Sequence, residues 1–157
     1  MGSPHTQNAF ERSALVSTLD PASQNAGAVN MPVVDAATLG ARRFLYTVLV
    51  GSVGAAGTVD FKLQASATSG GSYTDLDTNC KLTQIAAANK QAELEITAEA
   101  LAYYAPGKPF LRGVVTVGTN ACVVSATCRA FDFRYQPTND TQAAYLPASI
   151  VQQFLFK

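Results

Sequence analysis

Apolar and polar positions alternate along residues 58–68. Val59, Phe61, Leu63 and Ala65 fall on one face, and Asp60, Lys62, Gln64 and Ser66 on the other. A repeat of two predicts a half-buried strand rather than a helix. Upstream, residues 43–50 (RFLYTVLV) are nearly continuous in apolar and β-branched residues, which predicts a strand covered on both sides. Residues 51–57 read as a flexible connection that joins these two runs into a hairpin. Ser69-Gly70-Gly71-Ser72 predicts a second hairpin turn, with glycine supplying positive φ, and residues 73–76 return from it.

The same reading extends along the chain. Residues 29–34 (VNMPVV) predict a short strand that Pro32 confines to an edge or a strand end. Residues 81–86 (KLTQIA) predict another, anchored by Leu82 and Ile85. Residues 91–97 alternate, with Ala92, Leu94 and Ile96 inward and Glu93 and Glu95 outward. Residues 98–104 predict a short helical turn or a loop, stopped by Pro106. Residues 110–117 and 121–135 read as a last hairpin closed by Gly118-Thr119-Asn120. In its second strand the large apolar residues change parity near Arg129, which predicts a bulge or a crossing between sheets. The expected core is Phe44, Leu45, Val48, Phe61, Leu63, Leu94, Ile96, Val115, Val117, Val124 and Phe131.

About eight short strands separated by turn signals, with almost no helix, predict an all-β fold: a jelly-roll-like β-sandwich with an extended N-terminal arm and a C-terminal tail. The boundaries expected are an arm at 1–27, the sandwich at 28–136 and a tail at 137–157. Pro4 and Pro21 break regular structure in the arm, while residues 8–19 predict a short helix with Phe10, Leu15 and Leu19 partly on one side. The arm is either a disordered tail or a segment that orders on a neighbouring subunit or partner. In the tail, Phe154, Leu155 and Phe156 either finish the core of the same domain or dock on a neighbour. Phe10, Leu15, Leu19, Phe154, Leu155 and Phe156 are therefore the candidate contact residues. Removal of residues 1–27 is expected to leave the fold intact.

Composition narrows the chemistry. A chain of 157 residues fits one domain, and a domain of this size buries roughly 70% of its unfolded surface without needing disulfides or metal. Charged residues are 14% of the chain, against about 25% in an average protein, which points to surface covered by copies of the chain or by a partner. With 11 basic and 11 acidic residues there is no basic excess to displace counterions, so no nucleic acid is expected as a partner. The longest apolar runs are strand-sized, so no membrane is expected either, and the first residues hold no apolar leader segment.

Cys80, Cys122 and Cys128 predict free, buried thiols, with Cys80 in its Thr-Asn-Cys-Lys context the one to test for reactivity. The single histidine, His5, lies in the arm, which leaves no partner for a Ser-His-Asp or Cys-His arrangement and too few ligands for structural zinc. Glu93 with Glu95, or Asp132 with Asp140, could pair as glycosidase carboxylates, but the chain has no Trp to form a sugar platform. Asp75 and Asp77 beside Thr74 and Asn79 could hold calcium loosely, without the spacing of a helix-loop-helix site. GSVGAAG lacks the Lys-Ser/Thr ending of a phosphate loop. The expectation is a chain that is not an enzyme, with no catalytic residues, no metal and no cofactor.

One resemblance adds to this. Val59, Asp60, Lys62, Gln64 and Ser66, followed by Gly70 and then Tyr73, Thr74, Asp75 and Leu76, resemble a hairpin of small tailed-bacteriophage virion proteins. The run FLRGVVTVGTNACVVSA resembles the last strand pair of that group. The similarity spans about residues 41–135 and leaves both ends of the chain outside it. That group looks like capsid decoration or cement proteins, β-rich and often jelly-roll-like, which bridge major-capsid subunits from outside the shell. The resemblance implies a virion structural protein made in the host cytoplasm and located on the capsid surface. Its implied partners are the major capsid protein and further copies of itself, as a homodimer or homotrimer. Two other readings stay open: a tail, neck or fibre-attachment component, and a carbohydrate-binding or adhesive β-sandwich module.

Overall fold

The computed structural model of the chain describes residues 13–134. Among these residues nine strands and two short helices follow one another: β1 (Ser13–Gln24), β2 (Gly27–Asn30), β3 (Val34–Asp35), α1 (Ala36–Leu39), β4 (Arg43–Val53), β5 (Thr58–Ser66), β6 (Thr74–Asp75), β7 (Lys90–Thr97), α2 (Ala98–Tyr104), β8 (Phe110–Gly118) and β9 (Cys122–Phe131). One sheet has the order β1-β9-β4-β7, and the other the order β2-β8-β5-β6, with β3 also on β8. Every pair is antiparallel. Of the links between consecutive strands, those from β1 to β2, β4 to β5 and β8 to β9 all pass from one sheet to the other. Two interleaved antiparallel sheets of this order form a jelly roll. The all-β sandwich expected from the sequence is the fold.

Burial follows the alternation. Val59, Phe61, Leu63 and Ala65 of β5 are buried, as are Phe44, Tyr46, Val48 and Val50 of β4. The Tyr46 and Phe61 rings meet between the sheets at 5.6 Å. From the expected core, Val115, Val117, Val124 and Ile96 are also buried, whereas Leu45, Leu94 and Phe131 are only half-buried. Gly113 lies where a Cβ would come within 2.7 Å of Met31 Sδ and Phe61 Cε2. Its missing side chain is the space those two residues fill.

Several expectations are corrected. Residues 13–24 are not arm or helix but the edge strand β1, paired with β9 from Ser13↔Phe131 to Gln24↔Cys122. Its register slips between Leu15 and Ser17 and between Leu19 and Ala22, so Val16 and Ser17 are both buried and the period of two is lost. That break is what hid the strand. Residues 13–24 thus belong to the sheet, so removal of residues 1–27 would take β1 from it. Residues 43–53 are covered on one face only: Leu49, on the other face, is 42% exposed.

The β4–β5 and β8–β9 connections are arches between sheets, not hairpins. The two arches lock together where the Gly54 N–H donates to Ala121 O at 3.0 Å, and a Cβ on Gly54 would meet Asn120 Cβ at 2.8 Å. Residues 81–86 form no regular strand. They follow β5 through isolated bridges at Lys81 and Ile85. The alternation of β9 runs unbroken to Ala130 rather than changing at Arg129. The switch falls at Asp132, whose φ of 54° turns Phe133 into the core. β5 and β6 do pair as a hairpin, but neither Gly70 nor Gly71 takes a positive φ. Gly71 is needed instead for close approach, because a Cβ there would meet Ser66 Oγ at 2.7 Å.

Candidate interaction surface

Four strands of the first sheet reach one end of the sandwich in a single row, Ser13, Phe131, Arg43 and Thr97. Both helices sit at this end. Asp35 caps α1, its Oδ1 accepting from the N–H groups of Ala37 and Thr38 at 3.2 and 3.1 Å, and Gly40 closes the turn at φ 64°. Thr97 caps α2 by accepting from the Ala100 N–H at 3.1 Å. A shaped carboxylate or hydroxyl at the N-cap stabilises a short helix that could not persist alone. Between the helices lies an open cleft of ≈ 660 Å³. Small side chains of α1 and α2 wall it, and Arg42, Glu99, Lys108 and Arg134 stand around it.

The outer side of α2 presents Tyr103, 80% exposed, and Tyr104, 40% exposed. Their rings meet edge to face at 5.1 Å. Tyrosines free of the core are a common feature of contact surfaces, because a ring offers large area for little entropy loss. Read as a strand, adjacent tyrosines face opposite ways. On a helix they are separated by about 100°, so both turn outward. The helix-forming run at 98–104 held that signal.

Of the residues that carry the phage resemblance, Val59, Ser66 and Leu76 are buried, while Lys62, Gln64, Tyr73 and Asp75 meet Arg112 on the outer face of the second sheet. Asp75 accepts from Lys62 Nζ at 2.9 Å and from Gln64 Nε2 at 2.8 Å. Gln64 Oε1 in turn accepts from Arg112 Nε and Nη2 at 3.1 and 2.8 Å. The Arg112 guanidinium lies 4.0 Å from the centre of the Tyr73 ring, and the Tyr73 hydroxyl donates to Ser69 O. The hydrogen bonds from Lys62, then Gln64, hold the Asp75 carboxyl below its ordinary range. Lys62, Gln64, Asp75 and Arg112 are engaged with one another, so the strip pins the register of β5, β6 and β8.

The remaining candidates separate. Phe10, Phe154, Leu155, Phe156, His5 and Asp140 lie outside the described residues. Leu15 and Leu19 lie on β1 and are half-buried, Leu19 against the core. Glu93 and Glu95 are exposed on the outer face of β7, and Arg43 reaches Asp132 at 2.7 Å and Glu95 at 3.5 Å. Asp77 spends its Oδ1 on the Asn79 N–H at 2.8 Å, and Asp75 is taken by Lys62. Among the described residues no group of His, Cys, Asp or Glu is placed to hold a metal ion, and no helix is long and apolar enough to cross a membrane.

Cys80, Cys122 and Cys128 are free and buried. Burial, then the Asp77 carboxylate, pushes the Cys80 thiol up, which disfavours the reactive thiolate. Burial pushes Cys128 up to about 12. The Tyr46 hydroxyl beside it has no nitrogen or oxygen partner, and the Cys128 thiol is the polar group that meets it.

No protein-family model matches the chain, and no curated protein matches it.

Proposed function

We propose that this chain is a structural virion protein, a cement or decoration protein that binds the outside of an assembled tailed-phage capsid and bridges its major-capsid subunits. One observation carries the reading. The first and last described residues, Ser13 and Arg134, lie at the same end of the jelly roll as the exposed Tyr103 and Tyr104 and the cleft between the helices. Both limits of the described chain therefore lie beside its exposed aromatic pair. A rigid sandwich that offers one end for attachment suits a protein whose work is to hold neighbours together. The hairpin resemblance at residues 59–76 supports the same reading.

The mechanism is linkage. A protein that binds the assembled shell and not its separated subunits raises shell stability by its binding free energy, and the gain repeats at every site. Phage shells melted in a calorimeter with and without saturating protein test this. A higher melting temperature with bound protein is expected, and identical melting overturns the reading. The exposed tyrosines also favour a second reading, a glycan-binding module. The two rings stand 84° apart, so they offer no shared flat platform, and a glycan array with Tyr103→Ala as control tests that reading directly.

A further inference from the structure

The strands at the margins of the two sheets differ in how they end. An edge strand exposes a row of unpaired N–H and C=O groups, and proteins blunt such edges with bulges, prolines or short length. β1 has two register slips and Pro21. β2 and β3 are four and two residues long, with Pro32 between them. β6 has two residues. β7 differs from all of these. It pairs with β4 without a slip over eight residues, Lys90↔Val50 to Thr97↔Arg43, and contains no proline. On its far side no other described strand pairs with it.

Its two faces say what fits there. Ala92 and Leu94, on the inward face, are only half-buried, because nothing described covers them from the side. Glu93 and Glu95 stand on the outward face, both exposed. Arg43 is drawn closer to Asp132 than to Glu95, and Glu93 has only the Thr47 hydroxyl, at 3.3 Å. A second copy of β7 fits poorly. In the two registers of greatest overlap, antiparallel pairing centred on Glu93 sets that residue against itself, and pairing centred on Leu94 sets Glu93 against Glu95. Like charges directly opposite destabilise a strand pair.

We infer that the free edge of β7 takes up an extended segment of another protein, one with Lys or Arg at alternate positions and apolar residues between them. The backbone ladder supplies the attachment, as in other cases of strand addition. The cations face Glu93 and Glu95 across the new pair, and the apolar residues cover Ala92 and Leu94. This mode of docking goes beyond the capsid reading and stands whatever assembly the partner belongs to.

Two labelled peptides, TVKVKVT and TVEVEVT, both capped at their ends, test this against the full chain by fluorescence anisotropy and amide hydrogen exchange. The lysine peptide is expected to bind about tenfold more tightly than its glutamate counterpart and to protect amides within residues 90–97. N-methylation of alternate peptide amides is expected to abolish binding. In E93K/E95K the peptide preference should invert, and in the milder E93Q/E95Q it should shrink. Equal binding of the two peptides, or unchanged exchange in β7 at saturating lysine peptide, overturns the inference. So does a dimeric mass by light scattering with β7 already protected, which would assign the edge to a second copy. A shell-melting failure leaves these readouts untouched, so the two proposals fail separately.

Discussion

At the level of single residues, Tyr46 and Cys128 make the most specific demand. Both are fully buried between the sheets, and burial holds each in its neutral form, Cys128 up to about 12 and Tyr46 well above its ordinary value. An unfolded thiol loses its proton near about 8.5 and an unfolded tyrosine near about 10. Above those values the unfolded chain has released protons that the folded chain still holds, so stability falls as pH rises. It is fully present below about pH 8 and declines toward pH 12, by up to roughly 1.4 kcal/mol per pH unit for each such group. Urea midpoints at pH 8 and pH 10.5 should differ in that direction. Tyr46→Phe removes a hydroxyl that has no nitrogen or oxygen partner, so at pH 8 the variant should match the parent within about 0.5 kcal/mol. At pH 10.5 it should lose less stability than the parent does. A variant clearly weaker at pH 8 would mean that the contact with the Cys128 thiol is a stabilising bond.

At the level of elements, β1 is tied to the rest by more than its ladder. Ser17 is fully buried, and its hydroxyl donates to Pro32 O at 2.7 Å. That bond joins the edge of one sheet to the break between β2 and β3 in the other. Ser17→Ala leaves the Pro32 carbonyl without this donor and should cost about 1–3 kcal/mol in chemical denaturation. A neutral result would show that water takes the place of the hydroxyl. The strands legible in the sequence were those with an unbroken period of two, β5 and β7 above all. β1 was not, because the slip between Leu15 and Ser17 buries both Val16 and Ser17 and a second slip follows Leu19. Partners were less legible than faces. Alternation says which side chains go inward, but not whether the next strand lies beside or across. Hence β4 with β5, and β8 with β9, read as hairpins although each pair spans the sandwich. The exposed tyrosines were missed for a different reason: residues 98–104 read as a helical turn or a loop, and a run that short does not say which of its sides meets the core.

At the level of the whole molecule, the jelly roll separates two surfaces that the sequence mixed together. The polar part of the resemblance to phage proteins lies in a strip on the outer face of the second sheet, where Lys62, Gln64, Asp75 and Arg112 hold one another. Such a strip is occupied with maintaining register. The end that holds α2 and both described chain termini has side chains, Tyr103 and Tyr104, that no core contact requires. Tyr103→Ala with Tyr104→Ala separates the two. Because Tyr103 is 80% and Tyr104 40% exposed, removal of both rings should change folding stability by no more than about 0.5 kcal/mol. If this end faces the shell, sedimentation with empty capsids should report binding weaker by tenfold or more, since a few aromatic anchors usually hold most of the binding energy at an interface. Arg112→Ala tests the opposite side. It cuts the bonds to Gln64 and the contact with Tyr73, so it should lower the denaturation midpoint while leaving the affinity of the folded fraction for shells unchanged. Loss of shell binding with Arg112→Ala and full binding with the tyrosine pair removed would place the contact on the second sheet, with α2 turned away from the capsid.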